Sequence, residues 1–324
     1  MRKNIAGIMR CCAGFCLMAT LLAAMAAIPS AGFAVQAGTA QRLFDSAEEA
    51  RQALVTAVLA KDHPALRGIF GPLARELEPG DPVEQAAEFE RFARHVQEGV
   101  ELVKEGETRA VLRIGANKWP FPVPIVKKGD KWRYDTEAGR EEILTRRIGR
   151  NELLVINVCL AYVEAQREYY TMAEPDGVQI PKYARRMISR TGKRDGLYWP
   201  TAAGEKESPL GSLVARAREE GYMQKRKPGE SGPRPFHGYY FRILERQGPS
   251  APGGRFSYVV NGNMVAGHAL VAYPARWGVS GVMTFIVNQR GRVYQKNLGP
   301  KTAQIARRMK SYNPDLSWKL VDEQ

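Results

Sequence analysis

NELLVINVCLAYVEAQREYYT, residues 151–171, sets the architecture of everything around it. Val155, Ile156, Cys159, Val163 and Tyr170 recur at close to the i, i+4, i+7 spacing that gathers side chains on one helical face. The uninterrupted apolar part, residues 153–163, falls short of the roughly 18 residues that cross a bilayer. A helix of this kind needs a protein layer against its apolar face, so the segment predicts a central helix on which a sheet packs. Helical periodicity already begins at Glu141-Glu142-Ile143, with a break expected around Gly149.

The material for that sheet lies downstream. HGYYFRILERQG, RFSYVV, HALVAYPA, VMTFIVN and RVYQKNL are rich in β-branched and aromatic residues, and turn residues such as PSAPGG separate them. In GVSGVMTFIVNQRGRVYQKNLG, residues 278–299, Asn288-Gln289-Arg290-Gly291 supplies a hairpin turn whose glycine takes positive φ. Ser280 lacks the spacing and strand-to-helix setting of a nucleophile elbow, so its expected work is turn geometry. KTAQIARRMKSY forms a final helix. Residues 174–235 are mostly irregular apart from a short helix over SLVARAREEG, and loops of this length in a compact domain are functional or disordered.

Upstream, FDSAEEARQALVTAVLAKD reads as an amphipathic helix with Asp45 or Ser46 as N-cap and Ala50, Leu54, Val58 and Leu59 on its inner face. A short helix from Pro64 to Phe70 follows, then one across PVEQAAEFERFARHVQ with Phe89, Phe92 and Val96 as its stripe. The period then changes to that of strands in VELVKE, TRAVLRIG and FPVPIVKKGDKWRYDT, with Lys128-Gly129-Asp130 as a hairpin turn. The fold class is therefore α+β. Residues 44–139 make an α+β domain of helices and a small antiparallel sheet, and 150–324 a second domain with the long loop insertion 174–235.

Residues 1–37 have the pattern of an export signal: Arg2, Lys3 and Arg10, then an apolar, small-residue run. Cleavage is expected after Ala34 or Ala37, the competing reading being an uncleaved anchor. Cys11, Cys12 and Cys16 would leave with the leader, so Cys159 alone remains and the exported chain has no internal disulfide. Cys159 lies in an apolar helix, where a thiol serves as a small buried hydrophobe. Losing the leader's three basic residues takes the formal charge from +14 to +11. Such a charge favours anionic envelope polymers, lipid headgroups or acidic proteins. The basic residues are scattered apart from short runs such as Arg185-Arg186, which argues against nucleic acid.

Chemistry-bearing groups are sparse. His63, His95, His237 and His268 are dispersed without cysteines or paired carboxylates at ligand spacing, so no metal or cofactor is expected. His268 could be a general base, or simply a hydrogen-bonded sheet residue. Thr191-Gly192-Lys193-Arg194 lacks the earlier glycine and following Ser/Thr of a phosphate loop. Glu141 and Glu142 point in different directions on a helix, and Glu205 and Glu207 lie in a loop. The sharpest local signal is Asp195-Gly196-Leu197-Tyr198-Trp199-Pro200. Tyr198 and Trp199 could form a stacking platform beside Lys193, Arg194 and the acceptor Asp195, or they could plug the loop onto the core.

The blocks RRIGRNEL, AYVEAQREYY, YARRMISRTGKRDGLYWP, GEKESPLGSLV, FHGYYFRIL and GHALVAYPARWGVSGVMTFIVNQRGRVYQKNLG resemble the exported bacterial proteins of Domain of Unknown Function family 2950 from about Phe44 onward. The resemblance implies no catalytic residues. At fold level, 44–139 looks NTF2-like, which implies a pocket between sheet and helix lined by Trp119, Phe121 and Trp132. Residues 150–324 are similar to the soluble part of type IV pilins, although an internal, short apolar helix does not suit filament assembly by the pilin route.

These readings lead to a non-catalytic periplasmic or secreted protein. It would work by binding or assembly with an envelope protein or anionic polymer, through its basic surface and loop 190–209, with peripheral contact to a membrane surface as a further option. One alternative is a small-ligand binder using the N-terminal pocket. Another is a cell-wall polymer hydrolase using Asp195, Glu205 or His268.

Overall fold

A computed structural model describes residues 40–79, 81–172, 180–202, 204–222 and 234–321; the leader lies outside them. Residues from Gly38 onward cluster as one compact unit. Among the described residues no helix is long and apolar enough to cross a membrane.

The chain opens with helices α1 (Ala47–Leu59), α2 (His63–Phe70), the short α3 (Ala74–Leu77) and α4 (Pro82–Glu98). Ser46, one of the two candidate caps, accepts from the Glu49 backbone N–H at the start of α1. Ala50, Leu54 and Val58 are buried as their spacing requires, while Leu59 is exposed beyond the edge of the stripe. The strands β1 (Val100–Lys104), β2 (Arg109–Ile114), β3 (Trp119–Pro120), β4 (Ile125–Lys128) and β5 (Lys131–Tyr134) form an antiparallel sheet in the order β1-β2-β4-β5, with β3 added to β2. The β4–β5 turn falls at Lys128-Gly129-Asp130, and Lys128 pairs with Lys131 across it. Helices and sheet enclose a core built on Phe44, Leu54, Ile69, Leu112, Ile114 and Tyr134.

Helix α5 (Thr136–Thr171) is a single run of 36 residues. It corrects the break expected at Gly149 and carries the chain from one half to the other through the interval between the two expected domains. A lone glycine costs a helix only about 1 kcal/mol relative to alanine, and the buried neighbours Arg147 and Asn151 hold the helix on both sides of it. Arg147 Nη2 donates to Leu77 O at 2.6 Å, and Asn151 Nδ2 donates to Ser280 O at 3.1 Å. The buried face runs through Val155, Cys159, Tyr162, Val163, Gln166 and Tyr169. Tyr170, assigned to that face from its spacing, is exposed and packs on Tyr183 at 4.7 Å between centroids. Burial pushes the Cys159 thiol up to about 12, far from thiolate reactivity.

After α6 (Gly211–Glu219), the second half builds the sheet that α5 requires. Strands β6 (Tyr239–Leu244), β11 (Ala269–Pro274), β12 (Met283–Asn288), β13 (Tyr294–Asn297) and β14 (Lys319–Leu320) lie in the order β14-β13-β12-β11-β6, all antiparallel. Between β6 and β11 sit two short ribbons, β7 (Arg246–Gln247) with β8 (Phe256–Ser257), and β9 (Val259–Val260) with β10 (Asn263–Met264). The hairpin between β12 and β13 has Gly291 at φ +76°, as its sequence requires. Residues of β11 alternate between two cores: Leu270 and Ala272 face α5, while Ala269, Val271 and Tyr273 join a second cluster on the other face with α7 (Thr302–Arg308). A strand buried on both faces has no reason to alternate in polarity, and ALVAYP does not.

Candidate functional site

The site is assembled around Gln166, fully buried on α5. Its side-chain amide donates to Ala184 O and accepts from Ala184 N, each at 2.8 Å, so one glutamine pins an otherwise irregular segment to the helix. Next to it, the Tyr183 backbone N–H donates to Met264 O at 2.7 Å, tying the same segment to β10. Beyond Ala184 the chain doubles back. Tyr198 N donates to Met187 O, Ser189 N to Tyr198 O, and Leu197 N to Arg186 O.

This framework leaves a polar hollow of about 420 Å³, into which Lys182, Arg185, Arg186 and Arg190 converge opposite the carboxylates of Asp195 and Glu245. Arg190 donates to Asp195 from its backbone N at 2.9 Å and its Nε at 2.6 Å, and Arg186 Nε stands 3.7 Å from the same carboxylate. Burial alone would raise the Asp195 carboxyl, but the two Arg190 hydrogen bonds outweigh it and hold the group below the usual range. Arg185 pairs with Glu245 at 2.6 Å and also reaches Gly262 O at 3.1 Å. Among the described residues three arginines face two carboxylates across the hollow, and their guanidinium forks suit phosphate or carboxylate oxygens.

Of the residues singled out from sequence, Asp195 lies in this hollow, and Lys193 is exposed on the adjoining turn. Arg194 turns elsewhere, 3.5 Å from Glu205 and over the Trp199 ring at 5.6 Å. Tyr198 and Trp199 are 9% and 5% exposed and belong to the core beneath α5. The stacking platform is thereby corrected: the doubled-back loop turns both rings inward, and Tyr198 Oη receives Arg218 Nη2 at 2.8 Å.

His268 is fully buried between the rings of Tyr162 and Tyr183, 5.3 and 4.7 Å away. Among the described residues neither ring nitrogen has a hydrogen-bond partner, and the hydrogen bonds of this residue run through its backbone, from Gln289 N to His268 O at 3.2 Å. Burial, with a smaller push from Arg167, lowers its pKa to about 3, so the ring is neutral. Among the described residues no hydrogen bond joins any two of Asp195, Glu205 and His268, and no group of three His, Cys, Asp or Glu side chains is placed to hold a metal.

Of the three residues expected to line an N-terminal pocket, one borders a hollow. Phe121 faces an apolar hollow of about 240 Å³ between the sheet and α2, α4 and α5. Trp119 instead lies 41% exposed under Arg146, 4.9 Å away, on the two-residue strand β3 that pairs with the end of β2. Trp132 is half-buried where its backbone pairs with Phe44.

Lys182, Arg185, Arg186, Arg190 and Glu245 escaped the sequence reading as site residues. Arg185-Arg186 was visible as a short basic run, but its convergence with Arg190 and Glu245 depends on the Gln166–Ala184 clasp. A family model described as protein of unknown function (DUF2950) matches residues 41–321. No curated protein and no solved structure matches the chain, so the NTF2-like and pilin-like likenesses gain no solved counterpart.

Proposed function

We propose that this chain, which belongs to the DUF2950 family, is a non-catalytic envelope protein that works by holding anionic groups of an envelope partner or polymer in the hollow beside Asp195. One observation carries the reading: three arginines, Arg185, Arg186 and Arg190, meet two carboxylates in a concave site backed by a hydrogen-bonded frame. Asp195 and Glu245 orient Arg190 and Arg185, and among the described residues the arginines exceed these carboxylates by one, which attracts the ligand. The basic balance of the whole chain adds a long-range field that salt weakens.

The test is binding of the exported form to two defined polymers, polyphosphate and polygalacturonate, at low and high salt. Arg186→Ala/Arg190→Ala removes two exposed arginines whose pairs add little stability, and should weaken low-salt binding roughly tenfold with an unchanged melting temperature. Equal binding by wild type and variant would remove the proposal. Export itself is checked by N-terminal sequencing of the secreted chain, which should begin at Val35 or Gly38.

A further inference from the structure

We infer that the N-terminal hollow is a second, separate binding site, for a small carboxylic acid with a medium-length apolar tail. Its wall is apolar: Leu66, Phe70, Phe92 and Phe121 line it, with Phe92 and Phe121 stacked at 5.5 Å and 21°. Phe89 and Phe92, placed by their spacing on the inner face of α4, are only half-buried because they border this space. A dry apolar cavity of about 150 Å³ takes up benzene, so about 240 Å³ accommodates a somewhat larger body.

The charged end is fixed by Arg147, which lines the same hollow and is 4% exposed. Its Nη2 is used by Leu77 O and, at 3.1 Å, by Glu88 Oε2, whereas Nε and Nη1 are buried with no acceptor among the described residues. Leaving N–H groups of a buried cation unmade is costly. Arg147 borders the hollow, so a carboxylate entering it lies beside a guanidinium with N–H groups to spare. Arg67, half-buried on α2, lines the hollow as a second cation without an ion pair among the described residues. Arg67 and Arg147 face two carboxylates in the lining, Glu78 and Glu88, and Arg150 takes part of the Glu88 charge from outside the hollow. Apolar walls with an incompletely satisfied arginine select an amphipathic anion over a neutral lipid or a bare anion.

Isothermal titration of the full exported chain with octanoate, octan-1-ol and acetate tests this. Octanoate should saturate at one per chain, with the alcohol and acetate each at least tenfold weaker. Leu66→Trp, which fills the hollow, should abolish octanoate binding. Arg147→Gln should weaken it at least tenfold, and Arg67→Ala, which leaves the buried network intact, several-fold. Should Arg147→Gln fail to fold, Arg67→Ala and Leu66→Trp decide. Alcohol and acid binding alike, binding without saturation, or octanoate binding that survives Leu66→Trp overturns the inference. Arg186→Ala/Arg190→Ala should leave octanoate binding unchanged, which separates this site from the basic hollow.

Discussion

Asp81 accepts from the backbone N–H of Gly238 at 3.2 Å, a hydrogen bond that spans 157 residues and ties the start of α4 to the start of β6. The other carboxylate oxygen caps α4 through Val83 N and Glu84 N, so one buried side chain serves both as a helix cap and as a clamp between the halves. Asp81→Ala removes the cap and strands the Gly238 N–H, at a combined cost of about 2–4 kcal/mol. Asp81→Asn keeps an acceptor and should cost less. Urea unfolding of both variants checks the order, and equal loss would show that the clamp contributes nothing beyond charge.

Gly278 and Gly281 flank Ser280 in the turn before β12, yet they are glycines for different reasons. A Cβ on Gly281 would lie 2.0 Å from the hydroxyl of the buried Tyr239, whereas one on Gly278 meets nothing within 4 Å but sits at φ +75°. Gly281→Ala forces Tyr239 out of a packed core, so it should cost about 3 kcal/mol, the upper range for overpacking. Gly278→Ala incurs only the left-handed backbone penalty of about 1–2 kcal/mol. Ser280, whose Oγ accepts from Arg276 N at 3.1 Å, closes the turn as its sequence setting implied.

Local rules explain why the α+β class, the helices and the hairpins at Gly129 and Gly291 were legible: each depends on residues only a few positions apart. What escaped depended on distant partners. The break at Gly149 is overruled by Arg147 and Asn151, which find Leu77 and Ser280 far along the chain. For Tyr198 and Trp199 a platform and a core plug both stayed open, because nothing local shows that the loop doubles back beneath α5. Asp195 was legible as an acceptor, but the arginines that surround it converge only once Gln166 has clasped Ala184.

That clasp makes its own prediction. Gln166→Leu preserves the volume but leaves both polar groups of the Ala184 backbone buried without partners. The expected loss is about 2–4 kcal/mol, accompanied by weaker polymer binding as Tyr183 and Arg185 lose their support. Arg186→Ala/Arg190→Ala should lose binding without the stability loss. Measuring melting temperature and polymer affinity on both variants separates a frame residue from a contact residue, and unaltered affinity in Gln166→Leu would detach the clasp from the site.

His268 should make stability fall with acidity. Burial holds its native pKa at about 3, below an ordinary value near 6.5, so the unfolded chain takes up a proton that the folded chain refuses. Its contribution is therefore present above pH 6.5 and declines as pH falls from there towards 3. Between pH 7 and 5 the loss amounts to about 2 kcal/mol. His237, also lowered by burial against the opposing pull of Glu220, acts in the same direction, while Glu84, raised by burial, acts oppositely. Comparison with a variant isolates the one ring from these. His268→Phe keeps an aromatic between Tyr162 and Tyr183 and removes two unpartnered nitrogens, so at pH 7 it should be at least as stable as wild type. Urea midpoints at pH 7 and 5 should then show a smaller acid-side loss in the variant, and parallel losses in the two proteins would mean that the buried ring takes up its proton without unfolding.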